Sequence, residues 1–270
     1  MLLLNIINKD IKLKKIKYYS LVSFFTLGLV LSGCQESSDS DKTAIVHNGT
    51  EYKVITSPIT GKQWLDRNLG ATSVCTKSRD EFKSDKEYIA DQGACFGDLY
   101  QWGRLKDGHE KINSDSSKNL RADDITNAGN SFITVTSSPY DWTSLDSNGN
   151  LRKTQWSKTD GSSVCPIGFR VPTIQELRSE TVDYYKKIDE EVGAVKVINR
   201  DTAFRNFLKM PTTGYRNGRH AGLSYQGAYG HIWSTSVNAN RSVYLNFTKK
   251  DAGEYKMFRE TGFSVRCIKG

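Results

Sequence analysis

Polar and apolar positions alternate over residues 51–56 (EYKVIT), break at 57–61 (SPITG) and are followed by 62–69 (KQWLDRNL). Alternation beside a Pro/Gly turn predicts a first β-hairpin. Residues 106–138 are rich in Asn, Asp and Ser and predict surface loop with short irregular pieces. Helical periodicity then appears twice. Behind Pro172, Thr173 and Glu176 form a capping-box pattern, and Ile174, Leu177, Thr181, Tyr184, Tyr185 and Ile188 recur at helical spacing. A second, shorter helix is predicted where Asn199 or Asp201 caps a stripe of Ala203, Phe204, Phe207 and Leu208, stopped by Pro211. Beyond it, apolar and β-branched segments at 231–236, 241–248, 254–258 and 263–268 are separated by Asn, Gly and Lys-rich turns and predict an antiparallel meander. The pattern is that of a loop-rich α+β domain with two helices and a short-stranded antiparallel sheet. With no linker and no fixed-period repeat after residue 50, one domain is expected over 51–270.

The pattern of residues 1–50 differs. Five lysines (Lys9, Lys12, Lys14, Lys15, Lys17) precede an apolar run at 21–31, too short for an ordinary transmembrane helix. The run ends in Leu31-Ser32-Gly33-Cys34, which resembles the bacterial lipobox. Residues 1–33 are therefore expected to be a lipoprotein signal peptide and Cys34 the lipidated first residue, anchoring the chain to a membrane. Residues 34–50 begin with QESSDSDKT after the cysteine and are expected to form a flexible tether. By analogy with enterobacterial sorting, Gln35 after the lipidated cysteine points to the outer membrane of the cell envelope.

Composition changes two points. A hydrophobic fraction of 37%, 11% of the chain being aromatic, supplies a core and excludes general disorder. The formal charge of +8 suggests a nucleic-acid partner, but the first 33 residues hold five Lys against one Asp. The remainder carries 33 basic and 29 acidic residues, or +4, which is weak footing for phosphate binding, so no nucleic-acid partner is expected. Four cysteines remain after Cys34, an even number in an exported chain, where disulfides persist. Cys75 is paired with Cys95 because the polar segment between them needs an external constraint, which leaves Cys165 for Cys267.

Reactive motifs are incomplete. No C-x-x-C spacing exists, and His47, His109, His220 and His231 are scattered without metal-ligand pairing; H-E-x-x-N at 109–113 lacks the second zincin histidine. The GLSYQ run at 222–226 lacks the last Gly of a nucleophile elbow. DSNGN at 146–150 is followed by Leu151 where a calcium loop needs Gly. No phosphate-binding glycine motif is present. No catalytic residue, metal or cofactor is expected.

Several segments together, in this order, resemble the Fibrobacter succinogenes major paralogous domain family, which is related to C-type lectin-like and formylglycine-generating-enzyme-like folds. They are QWLDRNL (63–69), GDLYQWG (97–103), Asp141-Trp142, CPIGFRVPT (165–173), HIWSTS (231–236) and GFSVRC (262–267). The resemblance implies a disulfide-stapled C-type lectin-like domain and supports bridging Cys165 to Cys267. It gives Trp142 a structural role; Trp64, Trp102 and Trp233 already sit among apolar neighbours, and Trp156 lies in a polar loop. The closely spaced cysteine pair of the oxidising relatives is missing, as are the Pro loop and Trp-Asn-Asp strand of calcium-dependent lectins. What remains for recognition is the loop 214–222 (GYRNGRHAG), where Tyr215, Arg216, Asn217, Arg219 and His220 are the ligand-binding candidates. Arg216 and Arg219 are expected to converge on one anionic group beside Tyr215. The expected function is adhesion or carbohydrate binding, the ligand being an extracellular glycan or protein. The alternatives are an enzyme of the formylglycine-generating-like superfamily and a structural envelope component.

Overall fold

The computed structural model describes residues 44–270. The signal peptide, Cys34 and residues 34–43 of the tether lie outside the described residues.

In chain order the elements are β1 (Ala44–His47), β2 (Thr50–Thr56), β3 (Gln63–Leu65), α1 (Asp85–Gln92), β4 (Tyr100–Gln101), β5 (Ser116–Lys118), β6 (Phe132–Thr134), α2 (Asn150–Trp156) and β7 (Phe169–Arg170). There follow α3 (Ile174–Glu180), α4 (Arg200–Arg205), β8 (Tyr215–Arg216), β9 (Leu223–Ser224), β10 (Gly230–Asn238), β11 (Arg241–Phe247), β12 (Ala252–Phe258), β13 (Gly262–Phe263) and β14 (Ile268–Lys269). They form an antiparallel five-stranded sheet in the order β1-β2-β3-β14-β7, an antiparallel β10-β11-β12 meander, an antiparallel β4-β13-β8-β9 sheet and a parallel β5-β6 pair. This is the α+β architecture of short helices and short antiparallel strands that the pattern predicts.

The hairpin expected from residue 51 is present, β2 pairing with β3 from Val54↔Leu65 to Thr56↔Gln63. The domain starts earlier than expected, however. Residues 44–50, placed in the tether, form β1 and its turn, with Ala44↔Lys53 to His47↔Thr50 in register. Asn48 and Gly49 take φ of 52° and 77°, the two positive values that a two-residue primed turn needs, and an Asn-Gly pair supplies them cheaply.

The capping box at Thr173 is present, its hydroxyl accepting from the Glu176 N–H while the Glu176 carboxylate accepts from the Thr173 N–H. The helix ends at Glu180 and does not continue to Ile188. Thr181 leaves helical geometry (φ −133°, ψ −93°) and its hydroxyl donates to the Leu177 carbonyl. The Glu180 carbonyl accepts from the Asn206 amide, and the Glu180 carboxylate is enclosed by Ser57, Thr60 and the Trp64 indole N–H. Tyr185 and Ile188 are consequently exposed. Asn199, not Asp201, caps α4. Two further helices, α1 and α2, occur where loop was expected.

The first three strands of the meander pair as anticipated, but the fourth segment does not join them as an antiparallel strand and meets β10 only at a parallel bridge, Ile232↔Ser264. β13 pairs with β4 and β8, whereas β14 pairs with β3 and β7. The reason is burial: every residue from Phe263 to Ile268 is buried, so this segment has no solvent-facing side and threads the core. Trp102, Trp156, Trp233, Phe263, Val265 and the Cys165–Cys267 disulfide share one apolar cluster; Trp64 packs with α3, α4 and the meander in another. Both expected disulfides form, with Cα separations of 5.1 Å for Cys75–Cys95 and 5.9 Å for Cys165–Cys267. Distant parts of the chain meet inside: the buried Arg266 guanidinium donates to the Asn68 side chain and to the Leu65 and Leu208 carbonyls.

Candidate functional site

Most titratable groups in the interior are committed to internal bonds, Glu260 being an exception. Asp107, His109 and Glu110 stand close enough to suggest a metal triad, with ligand atoms within 4.8 Å of one another. The His109 Nε2 accepts the Gln101 backbone N–H at 3.1 Å, which leaves the proton on Nδ1, donated to Asp107 at 2.6 Å. With one nitrogen accepting and the other protonated, the imidazole has no lone pair to give a cation. Burial lowers the pKa of His109, its bond to Asp107 opposing the shift. The motif at 146–150 is likewise structural, because the Asp146 carboxylate accepts the Leu151 and Arg152 N–H groups at the start of α2. Arg152 and Arg259 share Asp141 in a buried ion-pair network against Trp102.

The predicted loop 214–222 folds as the β8–β9 hairpin, with Tyr215↔Ser224 and Arg216↔Leu223 in register. Its residues divide sharply. Arg216 is buried, and its guanidinium donates to the carbonyls of Ala221, His109, Lys111 and Ser114 and to the Ser114 hydroxyl, at 2.5 to 3.2 Å. It also lies 4.4 Å from the centre of the Phe132 ring. Arg216 therefore holds the hairpin base onto residues 109–114, and the expected convergence of Arg216 with Arg219 on one anion does not occur. All three guanidinium nitrogens already donate to the protein.

The tip is different. Arg219 and His220 are exposed, and Asn217 is half-buried. The Asn217 side-chain Oδ1 accepts the Arg219 N–H at 2.8 Å, and the His220 Nδ1 accepts the Gly222 N–H at 3.1 Å, so both side chains shape the turn. The Arg219 guanidinium stands 5.1 Å above the Tyr140 ring and makes no hydrogen bond among the described residues. Gly218 is required by its neighbour: a Cβ there would lie 2.1 Å from the Glu260 Cγ. Glu260 is buried, its Oε2 has no hydrogen-bond partner, and burial, aided by nearby Asp141, pushes its pKa up to about 8. The tip thus rests on a carboxyl group that is mostly neutral below that pH.

Tyr215, on the same hairpin, is half-buried and belongs to an aromatic group that the sequence reading left unassembled. Tyr225 lies beside it at 5.9 Å and stacks on Tyr229 at 4.5 Å. Beneath, His231 stacks on Phe263 at 4.5 Å, and burial lowers its pKa to about 3, so its ring is neutral. The available signal was the spacing of Tyr215, Tyr225, Tyr229 and His231 around a short hairpin. No family model matches this chain, and neither a curated protein nor a solved structure matches it.

Proposed function

We propose that this is a lipid-anchored protein of the bacterial envelope whose domain, lectin-like and similar to the Fibrobacter major paralogous domains, recognises an extracellular glycan or protein through the β8–β9 hairpin. The observation that carries the reading is the division of labour between two arginines three residues apart. Arg216 locks the hairpin base with its whole guanidinium, and Arg219, with His220, is held free at the tip above an aromatic ring. Because the hairpin base is held, binding at the tip has to order side chains but not backbone, which favours recognition. Catalysis has less support, since His109 and His231 are buried and neutral and Glu260 is covered by Gly218.

Two experiments test this. Intact-mass measurement of the membrane fraction should find an acylated chain beginning at Cys34; a soluble product with another start overturns the anchor. The full-length protein in detergent, applied to glycan and surface-protein arrays, should bind a ligand that the Arg219→Ala, His220→Ala double variant loses. Retention of binding in that variant moves recognition elsewhere. Loss of wild-type binding on chelation would point to a metal-held ligand.

A further inference from the structure

The flank of the same hairpin carries a feature that folding alone does not account for. Tyr225 directly follows β9, has φ of 55° and leaves 55% of its surface exposed. That backbone conformation suits Gly or Asn and strains a residue with a ring, while a ring this exposed returns little burial energy. Either consideration would favour another residue here. The ring is nevertheless fixed in place: its plane lies 7° from that of Tyr229 at 4.5 Å and 26° from that of Tyr215 at 5.9 Å. Tyr215 in turn meets His231 and Phe263 edge-on at 5.4 and 5.9 Å, so the three tyrosines are footed in the core. None of their three hydroxyl groups hydrogen-bonds to a protein group among the described residues.

We infer that Tyr215, Tyr225 and Tyr229 form an aromatic stack whose exposed member, Tyr225, is the platform for a pyranose ring of a neutral oligosaccharide, Tyr229 and Tyr215 holding it in place. This deepens the recognition reading of the hairpin and rests on it. A pyranose presents a face of C–H groups that packs on an aromatic plane, and its hydroxyls need donors and acceptors at the rim, which free phenol hydroxyls supply. The nearest ring beneath, His231, is uncharged, so nothing in the aromatic group selects for an anion. Rings held by one another lose almost no freedom when a sugar arrives.

The test uses full-length protein in detergent and four neutral hexasaccharides, built on glucose, N-acetylglucosamine, mannose and xylose, titrated by calorimetry. At least one should bind. Tyr225→Gly should weaken that binding at least tenfold without lowering Tm, because Gly accepts the positive φ; Tyr229→Ala should weaken it similarly. Tyr225→Phe should keep most of the affinity, and Tyr255→Ala, an exposed tyrosine on β12, should leave it unchanged. Undiminished binding in Tyr225→Gly and Tyr229→Ala overturns the platform. Loss on Arg219→Ala without loss on Tyr225→Gly overturns it too, and leaves recognition at the tip standing. If no hexasaccharide binds while the array yields another ligand, the platform fails and the recognition reading survives; if neither yields a ligand, both fail.

Discussion

All five tryptophans are fully buried, and each indole N–H has an acceptor: Glu180 for Trp64, and the carbonyls of Ser234, Trp102, Arg104 and Tyr100 for Trp102, Trp142, Trp156 and Trp233. Trp142 and Trp156 are thus core residues despite their polar sequence surroundings. The arginines divide by the same logic of satisfied donors. Arg216→Ala should strip a hydrogen-bonded guanidinium from five acceptors and cost about 3 kcal/mol or more, whereas Arg219→Ala, exposed, should change stability by less than about 0.5 kcal/mol. Urea denaturation of the two variants checks this, and equal effects would contradict the division. Glu260 sets a pH dependence of known sign. Its folded pKa of about 8 lies above the ordinary 4.5, so the folded state holds the proton more tightly than the unfolded chain. Its contribution is present in full below the unfolded pKa and is lost as pH rises towards 8. Glu260→Gln should flatten the stability profile over that window; an unchanged slope would assign it to other groups.

At the scale of elements, the capping box of α3 offers the cleanest test. Thr173→Ala removes the acceptor for the Glu176 N–H and should cost about 1 kcal/mol in thermal unfolding. The Glu176 carboxylate, held well below its usual range by the Arg170 pair, the Thr173 N–H and Lys62 against the opposing cost of burial, should lose its stabilising role only as pH falls below 4.5. This element was legible because its signal is local: a cap, a glutamate three residues on and an apolar stripe. Its end was not, because Thr181 is turned by the enclosure of Glu180 among Ser57, Thr60 and Trp64, more than a hundred residues away in sequence. The Asn48-Gly49 turn and the Ser84…Glu87 cap of α1 were local signals too, masked by the polar surroundings of both segments. The fate of residues 263–268 had no local signal. Short apolar segments read alike whether they join a meander or thread between sheets, and only packing from both sides separates the two. At the candidate site the same limit applied: Arg216 and Arg219 are chemically equivalent in the sequence, and the carbonyls of residues 109–114 that distinguish them arrive from another part of the chain.

For the molecule as a whole, the five-stranded sheet ties the beginning of the domain to its end, since β14 lies between β3 and β7. Cys165–Cys267 reinforces that closure, joining residues 102 apart, whereas Cys75–Cys95 spans only 20 and holds a satellite cluster of Tyr88 and Phe96. If a crosslink acts chiefly by restricting the unfolded chain, the longer closure is worth about 5 kcal/mol and the shorter about 3 kcal/mol. A domain of ordinary stability has about 5–15 kcal/mol in total, so losing the first approaches the margin for folding and losing the second does not. The Cys165→Ala, Cys267→Ala variant should therefore unfold at a markedly lower Tm than the Cys75→Ala, Cys95→Ala variant. It should also lose more β-sheet circular dichroism at 37 °C, because the bridge flanks both β7 and β14. The shorter bridge lies in its own apolar cluster. Equal loss of Tm in the two double variants would show that native packing around the sulfurs, and not loop length, sets their contribution.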